Sequence, residues 1–383
     1  MQDKMVYLSG GGCAGNHGML PYSLFIMPPS GKKRYLYSLD FARGAGAIAI
    51  LFWHYQHFFY HGADHRRSVP IEQQPLYSVF GLLYRHGDWA VQFFWLISGF
   101  VFAATYAGQR VPAAAAFVRV RASRLYPLHF LTLIVVAVLQ YGSVAMLGHS
   151  QIYGNNDAYH FGLNLFFAAS WGFERGSSFN GPVWSVSVEV LVYAVFWLCM
   201  GRIFKRGVVF PLGVAASALF LRFIAPPGDL KQISTCLAYF FIGTAVYVAY
   251  RAVEAKPIVL LVAAVPLGVL GIVASQMSGT VGTAGSVLFL SGILVAVCAV
   301  EASTQGRHLE RLRWIGDNSY GTYLWHVPIQ IATLVLLDRF RIDHDIARSP
   351  LFLAGFIALV MIVARISYLW FERPLRNWLR TSS

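Results

Sequence analysis

Ser38-Leu39-Asp40-Phe41-Ala42-Arg43-Gly44, followed by Phe52-Trp53-His54-Tyr55, decides how this chain is read. Arg43 and His54 stand eleven positions apart on the first strongly apolar segment, about 16 Å of rise in a helix. With Arg43 at one face of a membrane, His54 reaches the middle of the bilayer. An ionisable side chain at that depth is costly and marks a functional site. Histidine is also the side chain best suited to move a proton near neutral pH. The stretch therefore predicts a membrane-spanning helix with proton chemistry inside it.

The rest of the chain agrees with a membrane setting. Of its 383 residues 57% are hydrophobic and only 12% charged, against roughly 25% charged in soluble domains. The formal net charge of +13 does not point to nucleic acid, because the basic residues form no single run. They punctuate apolar segments, as membrane topology and an anionic ligand require. Cys13, Cys199, Cys236 and Cys298 have no metal-ligand spacing and three lie in apolar segments, so neither a zinc site nor a disulfide framework is expected. Residues 1–34 lack the pattern of a signal peptide. Gly10, Gly12 and Gly15 match the glycine spacing of a dinucleotide fold, but no strand precedes them and no helical pattern follows. A disordered leader over residues 1–34, with Met27 near the true beginning, is the reading that remains.

Ten segments are long enough to span about 30 Å of hydrocarbon: residues 38–60, 87–107, 127–147, 182–200, 207–225, 232–251, 258–275, 282–300, 315–338 and 350–371. Residues 158–172 are apolar but short, and charge decides their role. If they do not cross, the basic clusters Lys32-Lys33-Arg34, Arg119/Arg121/Arg124, Arg202/Lys205/Arg206, Arg307/Arg311/Arg313 and Arg373/Arg376/Arg380 all fall on the inside. That is a positive-inside bias; a crossing at 158–172 destroys it. The expectation is an all-α polytopic membrane bundle of about ten transmembrane helices with both termini cytoplasmic. One domain runs over residues 35–376, a short tail over 377–383, and 158–172 is re-entrant or interfacial.

Several polar residues inside this frame need an explanation. Asp40 and Arg43 share a helix face, either as a local ion pair or as an anion site at the mouth of a tunnel. His54 opens a stripe with His57, His61 and His65. Metal ligation by that stripe lacks a partner of matching spacing, so His57 to His65 are read as climbing into the external loop. Arg121 and Arg124 form an Arg-x-x-Arg before the third span; they are topogenic charge or a fork for phosphate oxygens. Glu189 is the acid of its span, about 10 Å in, and pairing with a histidine would keep it charged and orient the ring. Ser319, Tyr323 and His326 lie at i, i+4 and i+7 on one face, and His326 reaches a depth similar to His54. Pro328 frees a carbonyl one turn earlier, which a serine or tyrosine hydroxyl is placed to satisfy.

Together these stretches resemble the acyltransferase-3 family of integral-membrane O-acyltransferases, the type that O-acetylates bacterial polysaccharides. The resemblance covers Tyr35 to Arg376 and rests on motifs in order. These are Leu39-Asp40…Arg43-Gly44…His54, Phe93-Phe94-Trp95-Leu96-Ile97-Ser98-Gly99-Phe100, Arg121-Ala122-Ser123-Arg124-Leu125-Tyr126-Pro127 and Pro182-Val183-Trp184-Ser185-Val186-Ser187-Val188-Glu189. Asn318-Ser319-Tyr320-Gly321-Thr322-Tyr323-Leu324-Trp325-His326 and Phe371-Glu372-Arg373-Pro374 complete the set.

The resemblance implies ten spans in the inner (plasma) membrane, with acyl-coenzyme A, acetyl by default, as cytoplasmic donor substrate and no tightly bound cofactor. It implies an acceptor hydroxyl on a glycan or lipid-linked sugar, with glycan-assembly proteins as partners. The C-terminal esterase-like domain of some members is not expected here. Arg121, Arg124 and Arg43 would then hold donor phosphates, with Asp40, Ser319 and Tyr323 in support. His54 would act as general base, Glu189 would orient it, and His326 would be a second acid/base. No metal is required. A proton-coupled transporter or flippase also uses midplane ionisable residues, but it has no need of the arginine pair.

Overall fold

The computed structural model describes residues 25–26, 34–60, 69–253, 256–277 and 279–381. Nearly all of the expected leader lies outside them, with Cys13, His61 and His65. The one strand pairing among the described residues is a two-residue antiparallel contact, β1 (Phe25–Ile26) with β2 (Arg34–Tyr35). Everything after it is helical. The first half holds α1 (Tyr37–His54), α2 (Tyr77–His86), α3 (Trp89–Tyr106), α4 (Ala114–Leu147), α5 (Ala158–Leu165) and α6 (Val183–Arg206). The second half holds α7 (Val209–Ile224), α8 (Asp229–Ala252), α9 (Pro257–Ser275), α10 (Gly279–Thr304), α11 (Arg313–Asp317), α12 (Ser319–Arg339), α13 (Pro350–Ser367) and α14 (Arg373–Thr381).

Seven of the described helices are long and apolar enough to cross a membrane: α3, α4, α6, α8, α9, α10 and α13 with its continuation. The expected ten is not reached by length and composition. Of the other three, α7 is apolar but has 16 residues. α1 and α12 have 18 and 21, and they carry the very residues expected to do chemistry. Polar function dilutes their hydropathy. Lipid-facing surface is plain on α9, where Val262, Val265, Val269 and Val273 are all more than half exposed, a stripe suited to hydrocarbon.

Two boundaries differ from the sequence reading in ways that matter for the site. The first segment, expected to run to residue 60, stops being α-helical at His54; Tyr55–Phe59 tighten into a 3-10 turn. The third, expected from residue 127, begins at Ala114 and runs for 34 residues through Pro127. Arg119, Arg121 and Arg124 therefore ride on the same helix as the span. The segment at 158–172 forms only the eight-residue α5, about 12 Å long, too short to cross. Asp157 caps it by accepting from the His160 amide at 2.9 Å, and Asn164 C=O ties it to α4 through His129 Nε2 at 2.7 Å.

Close helix contact organises the interior. A Cβ on Gly99 of α3 would lie 1.7 Å from Phe240 O of α8, and one on Gly243 of α8 would lie 1.9 Å from Leu96 O of α3. The two backbones touch, as small residues permit in membrane bundles. Gly99→Ala should therefore lower stability by at least the roughly 3 kcal/mol at the top of ordinary overpacking. Thermal unfolding in detergent measures it, and a variant as stable as the parent refutes the backbone contact.

Buried apolar residues form two packed clusters, one around α3, α6, α8 and α10 and one around the end of α1, α4, α12 and α13. α12 passes from the first at Leu324 to the second at Val327, and His326 stands at that junction. α1 makes the same passage between Ile50 and Leu51, one turn before His54.

Candidate active site

One cavity opens between α1, α3, α4, α6 and α12. Its polar lining comes from Arg43, Ser98, Arg124, Ser185, Glu189, Tyr193, Ser319, Tyr320 and Tyr323. Five residues singled out from sequence thus meet at one place: Arg43, Arg124, Glu189, Ser319 and Tyr323. Phe94, Trp95 and Phe102 form the apolar side.

Arg43 is held from two directions. Its Nη1 donates to Asp40 Oδ1 at 2.8 Å and its Nη2 to Ser319 Oγ at 2.9 Å. Asp40 is buried and also accepts from the Tyr35 hydroxyl. The local ion pair is made, and Arg43 also lines the cavity. Arg124 differs. It lines the cavity and makes no hydrogen bond or ion pair with any described residue. Its electrostatic neighbours include the cations Arg43, Arg121 and Arg376.

Arg121, expected as its twin, does not line the cavity. Its guanidinium lies 3.7 Å from the Phe102 ring centre, with Tyr106, Phe117 and Tyr193 around it, and Nη2 donates to Tyr106 Oη at 3.1 Å. An aromatic cage holds this cation. Three residues apart on one helix, the two arginines have different surroundings.

The expected pairing of Glu189 with a histidine is not made. Glu189 Oε1 accepts from Tyr193 Oη at 2.9 Å, the carboxylate also interacts with the Ser98 hydroxyl, and Arg124 and Arg121 act on it electrostatically. The carboxylate belongs to the arginine end of the cavity. Tyr193 sits one turn along the same helix, a spacing that the sequence carried. Ser98 lies within the Ser98-Gly99-Phe100 run already noted.

The histidines stand behind Tyr323. Tyr323 Oη bonds Pro182 O and Ser185 Oγ, each at 2.7 Å, and its ring lies 5.9 Å from that of His326. His326 lies 4.9 Å from His54, and His54 lies 5.0 Å from His57. His326 Nδ1 donates to Tyr323 O at 2.6 Å, so in the neutral ring Nε2 carries the lone pair. Both His326 Nε2 and His54 Nδ1 are buried without a hydrogen-bond partner. Each such atom costs about 1–3 kcal/mol, tolerable where a reactant supplies the missing bond. His54 as a whole residue keeps some accessible surface, while His326 has none.

His57 does not climb into an external loop. It is 4% exposed, and its Nδ1 donates to Gln330 Oε1 at 3.0 Å. Gln330 Nε2 in turn donates to His54 O at 2.8 Å. The carbonyl freed by Pro328, Leu324 O, is satisfied by Asn180 Nδ2 at 3.0 Å and not by a hydroxyl. Among the described residues no three His, Cys, Asp or Glu side chains cluster as a metal site.

A fold of lipid-facing helices around a buried arginine and histidine site defines a membrane-embedded enzyme. Residues 36–369 match the family of the acyltransferase domain, and the chain belongs to that family. Over 98 residues it is 35% identical to a peptidoglycan O-acetyltransferase of Listeria monocytogenes, a match covering 24% of this chain and 15% of that protein. Over 100 residues it is 31% identical to a putative peptidoglycan O-acetyltransferase of Bacillus subtilis, covering 24% of this chain and 14% of that protein. The matches thus span about one seventh of those relatives' length. No solved structure matches the chain.

Proposed function

We propose that the protein moves an acyl group, acetyl by default, from acyl-coenzyme A at the cytoplasmic face of the inner (plasma) membrane to a hydroxyl of a cell-surface glycan or lipid-linked sugar. The observation that carries this reading is Arg124, an unpaired guanidinium lining a cavity that is also lined by Tyr323, whose ring adjoins the His326–His54 pair. Phosphates at Arg124 and Arg43 would leave a pantetheine arm of roughly 15–20 Å to thread inward. His54 takes the proton of the acceptor hydroxyl as its oxygen attacks the thioester carbon. The carbon–sulfur bond breaks, and the proton ends on the departing coenzyme A sulfur. α1, α7 and α12 complete ten spans, with both termini cytoplasmic, and glycan-assembly proteins deliver the acceptor. Peptidoglycan, the substrate in the relatives' names, is one acceptor of the right chemistry.

Ester analysis of surface glycans, from cells with and without the protein, tests this. Loss of one ester from an otherwise intact glycan is expected. Unchanged esters refute the reading, and loss of the glycan itself points instead to a flippase.

A further inference from the structure

One half-buried cation has no part in the scheme above. Arg376 lies on α14, just after the π-turn Tyr368–Glu372 that joins it to α13. Such turns re-aim a helix and recur at functional sites. The Nε and Nη2 atoms of Arg376 are buried and have no hydrogen-bond partner. The guanidinium stands 5.9 Å from the Tyr368 ring centre and hydrogen bonds the Tyr368 hydroxyl. It is close enough to Arg124 for the two cations to repel. Glu372 acts on both of them; its carboxylate accepts from Ser367 Oγ at 3.4 Å and lies against Gly321 of α12. With Glu189, which acts on Arg124 and Arg121, two carboxylates face the three guanidinium groups Arg121, Arg124 and Arg376, while Arg43 is paired with Asp40.

Unsatisfied buried donors on a cation beside a second cation are costly. A polyanion between Arg124 and Arg376 removes both penalties, and guanidinium forks match phosphate oxygens. Resting on the acyl-coenzyme A reading, we infer that Arg376 reaches from the C-terminal helix to hold a phosphate group of the donor, opposite Arg124. The donor's phosphate end is then gripped by two helices, α4 and α14, that lie far apart in sequence. A lipid headgroup offers the same phosphate chemistry, and the test separates the two.

The experiment measures coenzyme A binding to full-length protein in nanodiscs of neutral lipid, then of lipid containing phosphatidylglycerol. Arg376→Ala should raise the Kd at least tenfold in both, as loss of a charge-assisted contact does. Arg376→Lys should recover part of it. Arg373→Ala, an exposed neighbour on the same helix, should bind like the parent. If Arg376→Ala folds poorly, the lysine variant decides: it should bind measurably more weakly than the parent. Parent-like affinity in a folded Arg376 variant overturns the inference and leaves the donor reading standing. Unchanged affinity with loss of stabilisation by phosphatidylglycerol assigns Arg376 to lipid and also overturns it. A parent that binds no coenzyme A overturns both.

Discussion

His54→Gln is expected to lower acyl transfer by about 10²–10⁴-fold while leaving the protein folded and able to bind donor. Glutamine keeps a hydrogen-bonding side chain of similar reach but takes no proton. The environment favours a working base over a structural histidine. His54 Nδ1 is buried without a partner, whereas a structural histidine in a bundle uses its ring nitrogens to tie elements together, as His129 does with Asn164 O. The neighbouring His326 has its tautomer set by Tyr323 O and no accessible surface. If His326 acts through His54, His326→Gln should slow turnover less than His54→Gln does. The assay is transfer from labelled acyl-coenzyme A in membranes, normalised to folded protein. Substantial activity in His54→Gln removes the catalytic assignment.

His57 is not a neutral control for that experiment. Its burial and its bond to Gln330, which also holds the His54 carbonyl, make it part of the support for the reactive ring. The sequence could not announce this. Residues three apart share a face in an α-helix as well as in the 3-10 turn that begins at Tyr55, so the spacing was legible; the burial of His57 against Gln330 of α12 was not. What was legible were features set by helical periodicity within one span: the Arg43-to-His54 rise, the Ser319–Tyr323–His326 face, the Asp40–Arg43 pair. What was not legible were contacts set by how spans pack. Glu189 was assigned to a histidine because both are ionisable and deep, but the crossing of α3, α4 and α6 gives it to Ser98, Arg124 and Tyr193. Arg376 counts in the sequence only as inside charge, for the same reason: the contact of α14 with α4 follows the π-turn after α13. Five of the six motifs that carry the family resemblance place residues in the cavity wall, and Phe371-Glu372-Arg373-Pro374 does not.

Arg124→Ala and Arg121→Ala are expected to fail in opposite ways, although the two residues look alike in the sequence. Arg124 makes no hydrogen bond or ion pair with a described residue; Arg43, Arg121 and Arg376 repel it, and Glu189 and Glu372 attract it. Removing it loses no direct bond and the opposing fields offset, so stability should change little. Donor binding should fall by the loss of about 1.5–3 kcal/mol of charge-assisted contact, some 10- to 150-fold in Kd. Arg124→Lys should restore only part of this, because the fork is gone. Arg121 lies in its cage of Phe102, Tyr106, Phe117 and Tyr193, where a desolvated cation on an aromatic face contributes about 2 kcal/mol. Its alanine variant leaves a hole between α3, α4 and α6 and should unfold several degrees earlier. Whatever remains folded should bind coenzyme A nearly as the parent does, apart from the long-range field that Arg121 adds at Glu189. Binding and thermal unfolding measured on both variants separate the roles. Equal loss of affinity in the two, with equal stability, would return Arg121 to the donor site and refute the division. An Arg124→Ala variant that binds donor like the parent would empty the cavity of its proposed occupant.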